Sequence, residues 1–220
     1  MLPPVPCWRY HADGVEVRFV GKTPGDVGSE ITTVLDALDE SPEAVGWLRQ
    51  QHSAEVRAAL EGPCGSGDGL WTTRPGLALC VVTADCVPVV CAARGRLAVI
   101  HAGWRGLEAG VIAATLRALP EPARDLEAWL GPAIGPCCYE VGEDVADRVC
   151  SASSESILIV KDPGRPRLDL HRAAEIQLLE LGIERVRRVE ECTKCHSDRL
   201  WSYRGSPGSR GRNLTLAWLA

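Results

Sequence analysis

Three apolar runs lie almost end to end at the centre of the chain. They are Leu77–Thr83 (LALCVVT), Val87–Ala92 (VPVVCA) and Leu97–His101 (LAVIH), all rich in valine or leucine and all without formal charge. Uninterrupted apolar runs of this length suit strands buried on both faces. None approaches the about 18–20 residues of a membrane span. Thr83-Ala-Asp-Cys86 makes a polar break between the first two runs, and Gly103 follows the third. Leu107–Leu119 then has helical spacing up to Pro120. A strand therefore feeds a glycine turn and a helix.

The flanks add further elements. Val15–Val20 alternates like a strand, Asp26–Asp39 has Ile31, Val34, Leu35 and Leu38 on one helical face, and Val45–Arg49 reads as extended. Gly62–Gly69 reads as a loop because it carries four glycines and a proline. Leu126–Leu130, Ile157–Val160, Val186–Val189 and Leu214–Leu219 are strand candidates. Val141–Val149 and Leu170–Leu181 are helix candidates, the second stopped by Gly182. No repeat, low-complexity tract or linker divides the chain. The expectation is an α/β (α+β) fold with mixed β-sheets flanked by helices, in one domain over residues 1–220.

Composition narrows the function classes. Hydrophobic residues at 45% and charged residues at 24% exclude a disordered tail, a collagen and a coiled coil. The net charge of −5 argues against a nucleic-acid partner. The opening MLPPVPCWRY has neither a basic nor an apolar export region, so the expected location is cytoplasmic, with no membrane partner. Ten cysteines are then expected as reduced thiols, with no structural disulfide. Cys192-Thr-Lys-Cys195-His196 matches a haem-attachment pattern, but that chemistry usually requires export. It also reads as half a zinc knuckle, and no second C-x-x-C completes it.

There are five histidines, and two stand in suggestive places. His101 ends a strand just before Gly103-Trp-Arg-Gly106, and His52 follows Trp47-Leu-Arg-Gln-Gln51. Cys86 sits at the polar break. Two imidazoles and a thiolate are a ligand set zinc accepts, with a position left for water whose pKa the metal lowers towards ~7. The same residues also read as a small buried hydrophobe and two satisfied polar groups. A rival reading makes Cys86 and His101 the pair of a metal-free cysteine hydrolase.

Three strings carry a resemblance. Thr83-Ala-Asp-Cys86-Val-Pro88, His101-Ala-Gly-Trp-Arg-Gly106 and Gly131-Pro-Ala-Ile-Gly-Pro-Cys-Cys-Tyr-Glu-Val-Gly142 resemble the YfiH/laccase-domain family. The stretch from Cys192 through Ser202-Tyr-Arg204 to Gly211-Arg212 is similar to that family's C-terminal signature. The resemblance runs from about Arg49 to Ala220. It implies a layered sandwich fold and a purine nucleoside phosphorylase acting on adenosine, inosine, guanosine and methylthioadenosine, with adenosine deaminase activity. It also implies one zinc ion held by His52, Cys86 and His101. Ser53 stands where the family commonly has glycine, and the stretch after Arg204 lacks the family's Arg-Arg-Asp run.

The chemistry of these residues adds candidate roles. Phosphorolysis needs an anion site, and Arg105, near a helix start, and Arg204 suit phosphate through paired donors. Both also read as surface ion pairs. Glu140 reads as a general acid/base, a ribose-hydroxyl acceptor or a structural cap, and Asp85 as a support beside Cys86. The alternative is a copper-dependent phenol oxidase, since Cu(II) binds such sites in vitro. Against it, Met1 is the only methionine for a blue-copper axis, and five histidines cannot also furnish a histidine-rich trinuclear cluster.

Overall fold

The computed structural model describes residues 5–22, 42–120, 125–159 and 164–220. The expected helix at Asp26–Asp39 lies outside them. Two six-stranded sheets are stacked face to face, and helices cover one outer face. The first sheet orders its strands as Cys7–Ala12 (β1), Val15–Val20 (β2), Asn213–Leu219 (β14), Leu77–Thr83 (β7), Ala44–Arg49 (β3) and Gly62–Ser66 (β5). The second orders Arg185–Arg188 (β13), Glu127–Leu130 (β10), Val87–Ala93 (β8), Arg96–Ala102 (β9), Gly69–Thr72 (β6) and Val56–Ala58 (β4). Both sheets are mixed. β3 runs parallel to β7 and β5, β10 to β13 and β4 to β6, while the other pairs in the two sheets are antiparallel. A short pair, Leu158–Ile159 (β11) with Arg167–Leu168 (β12), stands apart. The expected α/β layered sandwich is the fold observed.

The uniform apolarity of the central runs has a simple cause. β8 has helices on one face and a sheet on the other. Val87, Val89 and Cys91 pack with the helices, whereas Val90 and Ala92 pack with the first sheet against Val17, Phe19, Leu79 and Ala217. Each such leucine or valine contributes roughly 1.5–3 kcal/mol on burial. The helical layer consists of Trp104–Glu108 (α1), Val111–Ala118 (α2), Glu143–Ser151 (α3) and Leu170–Glu180 (α4). Leu107, Ile112, Leu116, Ala174 and Leu178 seat it on the sheet.

Three expectations are corrected. Leu107–Leu119 is not one helix: Gly110 adopts φ 75° and separates α1 from α2, a left-handed conformation natural to glycine. Gly62–Gly69 is not a loop throughout. Gly62–Ser66 pairs in parallel with β3, and Gly69 opens β6 where a side chain would collide with Thr115. Backbone pairing and close packing, rather than side-chain propensity, make strands there. Of the expected strand Ile157–Val160, Ile157 ends a 3-10 turn over Glu155–Ile157, Leu158–Ile159 form the two-residue β11, and Val160 lies outside the described residues.

Candidate metal centre and substrate cleft

The strand register builds the site. β8 and β9 are antiparallel, with Val87 opposite Ala102 and Pro88 opposite His101. Cys86, one residue before β8, therefore falls opposite Gly103, one residue after β9. A side chain at Gly103 would sit 2.8 Å from Cys86 Sγ and 2.9 Å from His52 Cδ2. Glycine here leaves the space in which the three candidate ligands meet. Their ligand atoms all lie within 4.8 Å of one another, and Cys86 Sγ is 3.7 Å from His52 Nε2. The His52 and His101 rings approach edge-on, with centroids 4.7 Å apart.

His52 comes from the other sheet. It follows β3 in a left-handed conformation, φ 60°, which is uncommon for any residue but glycine. Two devices hold it there. The Gln50 side-chain amide donates to the Val82 carbonyl at 2.7 Å and accepts from the Val82 amide at 2.8 Å, tying the end of β3 to β7. The Asp68 carboxylate, completely buried, accepts backbone N–H bonds from Gln51, His52 and Ser53 and the Ser53 hydroxyl. Ser53 is thus part of the turn that carries the ligand.

Asp68 also orders His101. The His101 Nδ1–H donates to Asp68 Oδ1 at 2.7 Å, which leaves Nε2 for the Cys86 side. Burial pushes the Asp68 carboxyl up, but bonds from His101 and Ser53 overcome this and hold it well below the usual carboxylate range. Burial likewise raises the Cys86 thiol, yet the charge and hydrogen bonds of His101 and His52 bring it down to about 6. Burial opposes charge on His101, but Cys86 and Asp68 raise it to about 9. Between those values the free cleft holds a thiolate beside an imidazolium, and a zinc-type dication has only the imidazolium proton to displace to solvent. The donors fit a zinc-type metal, with His52 exposed on the open side.

A cleft of about 550 Å³ opens over these residues. Trp104, Ile134, Tyr139 and Tyr203 give it apolar and aromatic walls, and Arg105, Arg204 and Arg212 line it as well. Arg105 is exposed, stacks 4.4 Å over Trp104 and has no carboxylate partner among the described residues. Its helix has only five residues, so the expected help from a helix terminus is slight. Arg204 is fixed: its Nη1 donates to the Glu140 carbonyl at 2.7 Å, its guanidinium lies 5.0 Å over Tyr139, and its backbone N–H donates to Asp85 at 2.7 Å. Asp85, at φ 99°, also accepts the Thr193 hydroxyl at 2.6 Å. It supports the cleft wall rather than the three candidate ligands.

The Glu140 carboxylate is not among the cleft-lining groups. It is exposed and pairs with Arg167 at 2.8 Å. Sequence reasoning passed over Asp68, a lone carboxylate in a glycine-rich stretch with no local pattern to mark it. It also gave no role to Arg212 or Tyr203, although both lie in the stretch that carries the C-terminal resemblance.

A sequence model described as "Multi-copper polyphenol oxidoreductase laccase" matches residues 14–220. The chain belongs to this multi-copper polyphenol oxidoreductase laccase family. Within curated proteins, it is similar to a purine nucleoside phosphorylase of Pseudomonas aeruginosa, 40% identical over 79% of this chain and 73% of that one. It is also similar to the purine nucleoside phosphorylase YfiH of Escherichia coli, 32% identical over 84% and 78% of the two chains. Among solved structures it resembles the Neisseria meningitidis protein NMB0706, TM-score 0.84 and 28% identity, over 99% of each chain. It likewise resembles YlmD of Geobacillus stearothermophilus, TM-score 0.82 and 25% identity, over 94% and 92%. Laccase-family membership thus coexists with curated relatives named for nucleoside chemistry. Among the described residues no helix of this family member is long and apolar enough to cross a membrane.

Proposed function

We propose that the chain is a zinc-dependent purine nucleoside phosphorylase for adenosine, inosine, guanosine and methylthioadenosine, with adenosine deamination in the same cleft. The observation that carries this reading is the convergence of an N₂S ligand group and three arginines between aromatic walls. Phosphorylase relatives at 32–40% identity support it. His52, Cys86 and His101 would hold the zinc, which when bound supplies a Lewis acid at the floor of the cleft.

The chain's own groups do the rest. Arg105, stacked on Trp104, and Arg204, fixed on the Glu140 carbonyl, would hold phosphate as charge-assisted donors. Tyr139, Tyr203 and Trp104 offer flat apolar faces for a purine. In phosphorolysis a phosphate oxygen bonds to the ribose anomeric carbon, the bond to the base nitrogen breaks, and the base leaves with a proton. Glu140 would contribute through its backbone carbonyl, which positions Arg204. The copper oxidase reading has less support, because His11, His171 and His196 lie outside the ligand group.

A second reading has one observation in its favour. Asp68, His101 and Cys86 form an orienting carboxylate, a base and a thiolate in series, as in a metal-free cysteine hydrolase. One experiment separates the two. Zinc-loaded and metal-stripped protein are incubated with adenosine, with and without phosphate. Release of adenine and ribose 1-phosphate that needs both zinc and phosphate supports the phosphorylase. Turnover that survives metal removal and dies on alkylation of Cys86 overturns it.

A further inference from the structure

Outside the cleft, four more cysteines meet. Cys137 and Cys138 are adjacent in the loop after Gly135, and Cys192 and Cys195 bracket a turn near the C-terminal end of the fold. Their sulfur atoms all lie within 4.8 Å of one another. Cys195 Sγ is 3.6 Å from Cys137 Sγ and 3.5 Å from Cys138 Sγ. A tetrahedron of zinc–thiolate bonds about 2.3 Å long has edges of about 3.8 Å, so these spacings are those of a single tetrahedral ion. A multinuclear iron–sulfur cluster would have to fit inside the ring of sulfurs, and this span leaves room for one ion only. None of the four lines the cleft, and none is in a disulfide. We propose that Cys137, Cys138, Cys192 and Cys195 bind a second, structural zinc ion that staples the two loops together.

The surroundings are built for it. A side chain at Gly135 would stand 3.3 Å from both Cys137 Sγ and Cys192 Cβ, so glycine allows the loops to close on each other. Thr193 donates its backbone N–H to the Ala133 carbonyl at 3.0 Å, which sets the loops side by side. Arg167 donates to the Cys137 carbonyl at 3.0 Å, and Lys194 lies within the C-x-x-C turn. On binding, the four thiols release their protons to solvent and meet one dication. All four protein positions are filled, as in a closed structural site.

The staple bears on the cleft. Thr193, between the two C-x-x-C ligands, holds Asp85, and Asp85 holds the backbone of Arg204. The missing half of the knuckle is supplied in space by the vicinal pair Cys137-Cys138, which no local pattern links to Cys192.

The test is metal counting with side-chain mapping. The wild-type chain, expressed with zinc and desalted, should carry one zinc ion more than the Cys195→Ser variant. Cys86→Ala should lose a different ion, so that failure of the cleft assignment is distinguishable from failure of this one. Equal zinc in wild type and Cys195→Ser overturns the proposal. Should Cys195→Ser not fold, the wild type decides alone. Cys137 and Cys195 are exposed, so iodoacetamide reaches them in the native protein. Protection from iodoacetamide until zinc is stripped supports the staple. Equal alkylation rates with and without zinc, or a Cys137, Cys138, Cys192 or Cys195 disulfide in the purified protein, overturn it.

Discussion

Asp68 and His101 are joined by a 2.7 Å hydrogen bond between a completely buried carboxylate and the ring of a candidate metal ligand. The same carboxylate gathers the amides of Gln51, His52 and Ser53, so one side chain orients two of the three ligands. Asp68→Asn keeps one oxygen acceptor but turns an NH₂ towards donors that need an acceptor. Zinc affinity in the cleft should fall about 10–100-fold, as is typical when a ligand's orienting partner is lost. Competition with a chromophoric chelator measures it, and unchanged affinity would refute the orienting role.

Metal binding in the cleft should be pH-dependent with a definite sign. Between about 6, where Cys86 becomes a thiolate, and about 9, where His101 loses its proton, the free site holds one proton that zinc must displace. Raising the pH removes that competitor. Affinity should therefore rise about tenfold per unit from pH 7 to 9 and level off above, because one proton is released per ion bound. Titrations on the Cys195→Ser background, in buffers of different ionisation enthalpy, count the proton. A slope of zero between pH 7 and 8 would exclude the thiolate–imidazolium pair.

The central strands were legible because burial on both faces leaves an apolar run that needs no partner to be seen, as in Val87–Ala93 and Arg96–Ala102. The meeting of His52, Cys86 and His101 was legible only through a resemblance, since spacing alone left their meeting open. What remained hidden depends on contacts between distant segments. Gly62–Ser66 is a strand because β3 lies beside it, and its glycines carry no strand propensity. Asp68 matters because three amides turn towards it. Cys137 and Cys195 are 58 positions apart, and neither half of that cluster forms a complete metal pattern by itself.

Gly103→Ala tests whether the space between the ligands is required. Its methyl carbon would lie 2.8 Å from Cys86 Sγ, far inside van der Waals contact, so either the sulfur or the strand end must shift. Gly103 has an ordinary extended conformation, so the backbone itself accepts alanine. The expected result is a folded protein whose thermal transition changes little but whose zinc content falls by one ion and whose turnover drops more than about tenfold. Wild-type zinc content in Gly103→Ala would show that the three side chains do not share one ion.

The two candidate phosphate arginines should separate on substitution. Arg105 stacks on Trp104 and has no carboxylate partner among the described residues, so its removal deletes a donor and leaves the wall standing. Losing a charge-assisted bond worth about 1.5–3 kcal/mol should raise the KM for phosphate roughly 10–100-fold in Arg105→Ala. Phosphate-independent deamination should change much less, and Arg105→Lys should recover part of the loss. Arg204 also holds the Glu140 carbonyl and covers Tyr139, so Arg204→Ala disturbs the wall along with the anion site. Both reactions should then suffer, with the KM for nucleoside rising alongside that for phosphate. Steady-state kinetics with adenosine as the common substrate distinguish the patterns. Equal losses of phosphorolysis and deamination in Arg105→Ala would remove it from the phosphate site. A selective phosphate defect in Arg204→Ala would give that role to Arg204 instead.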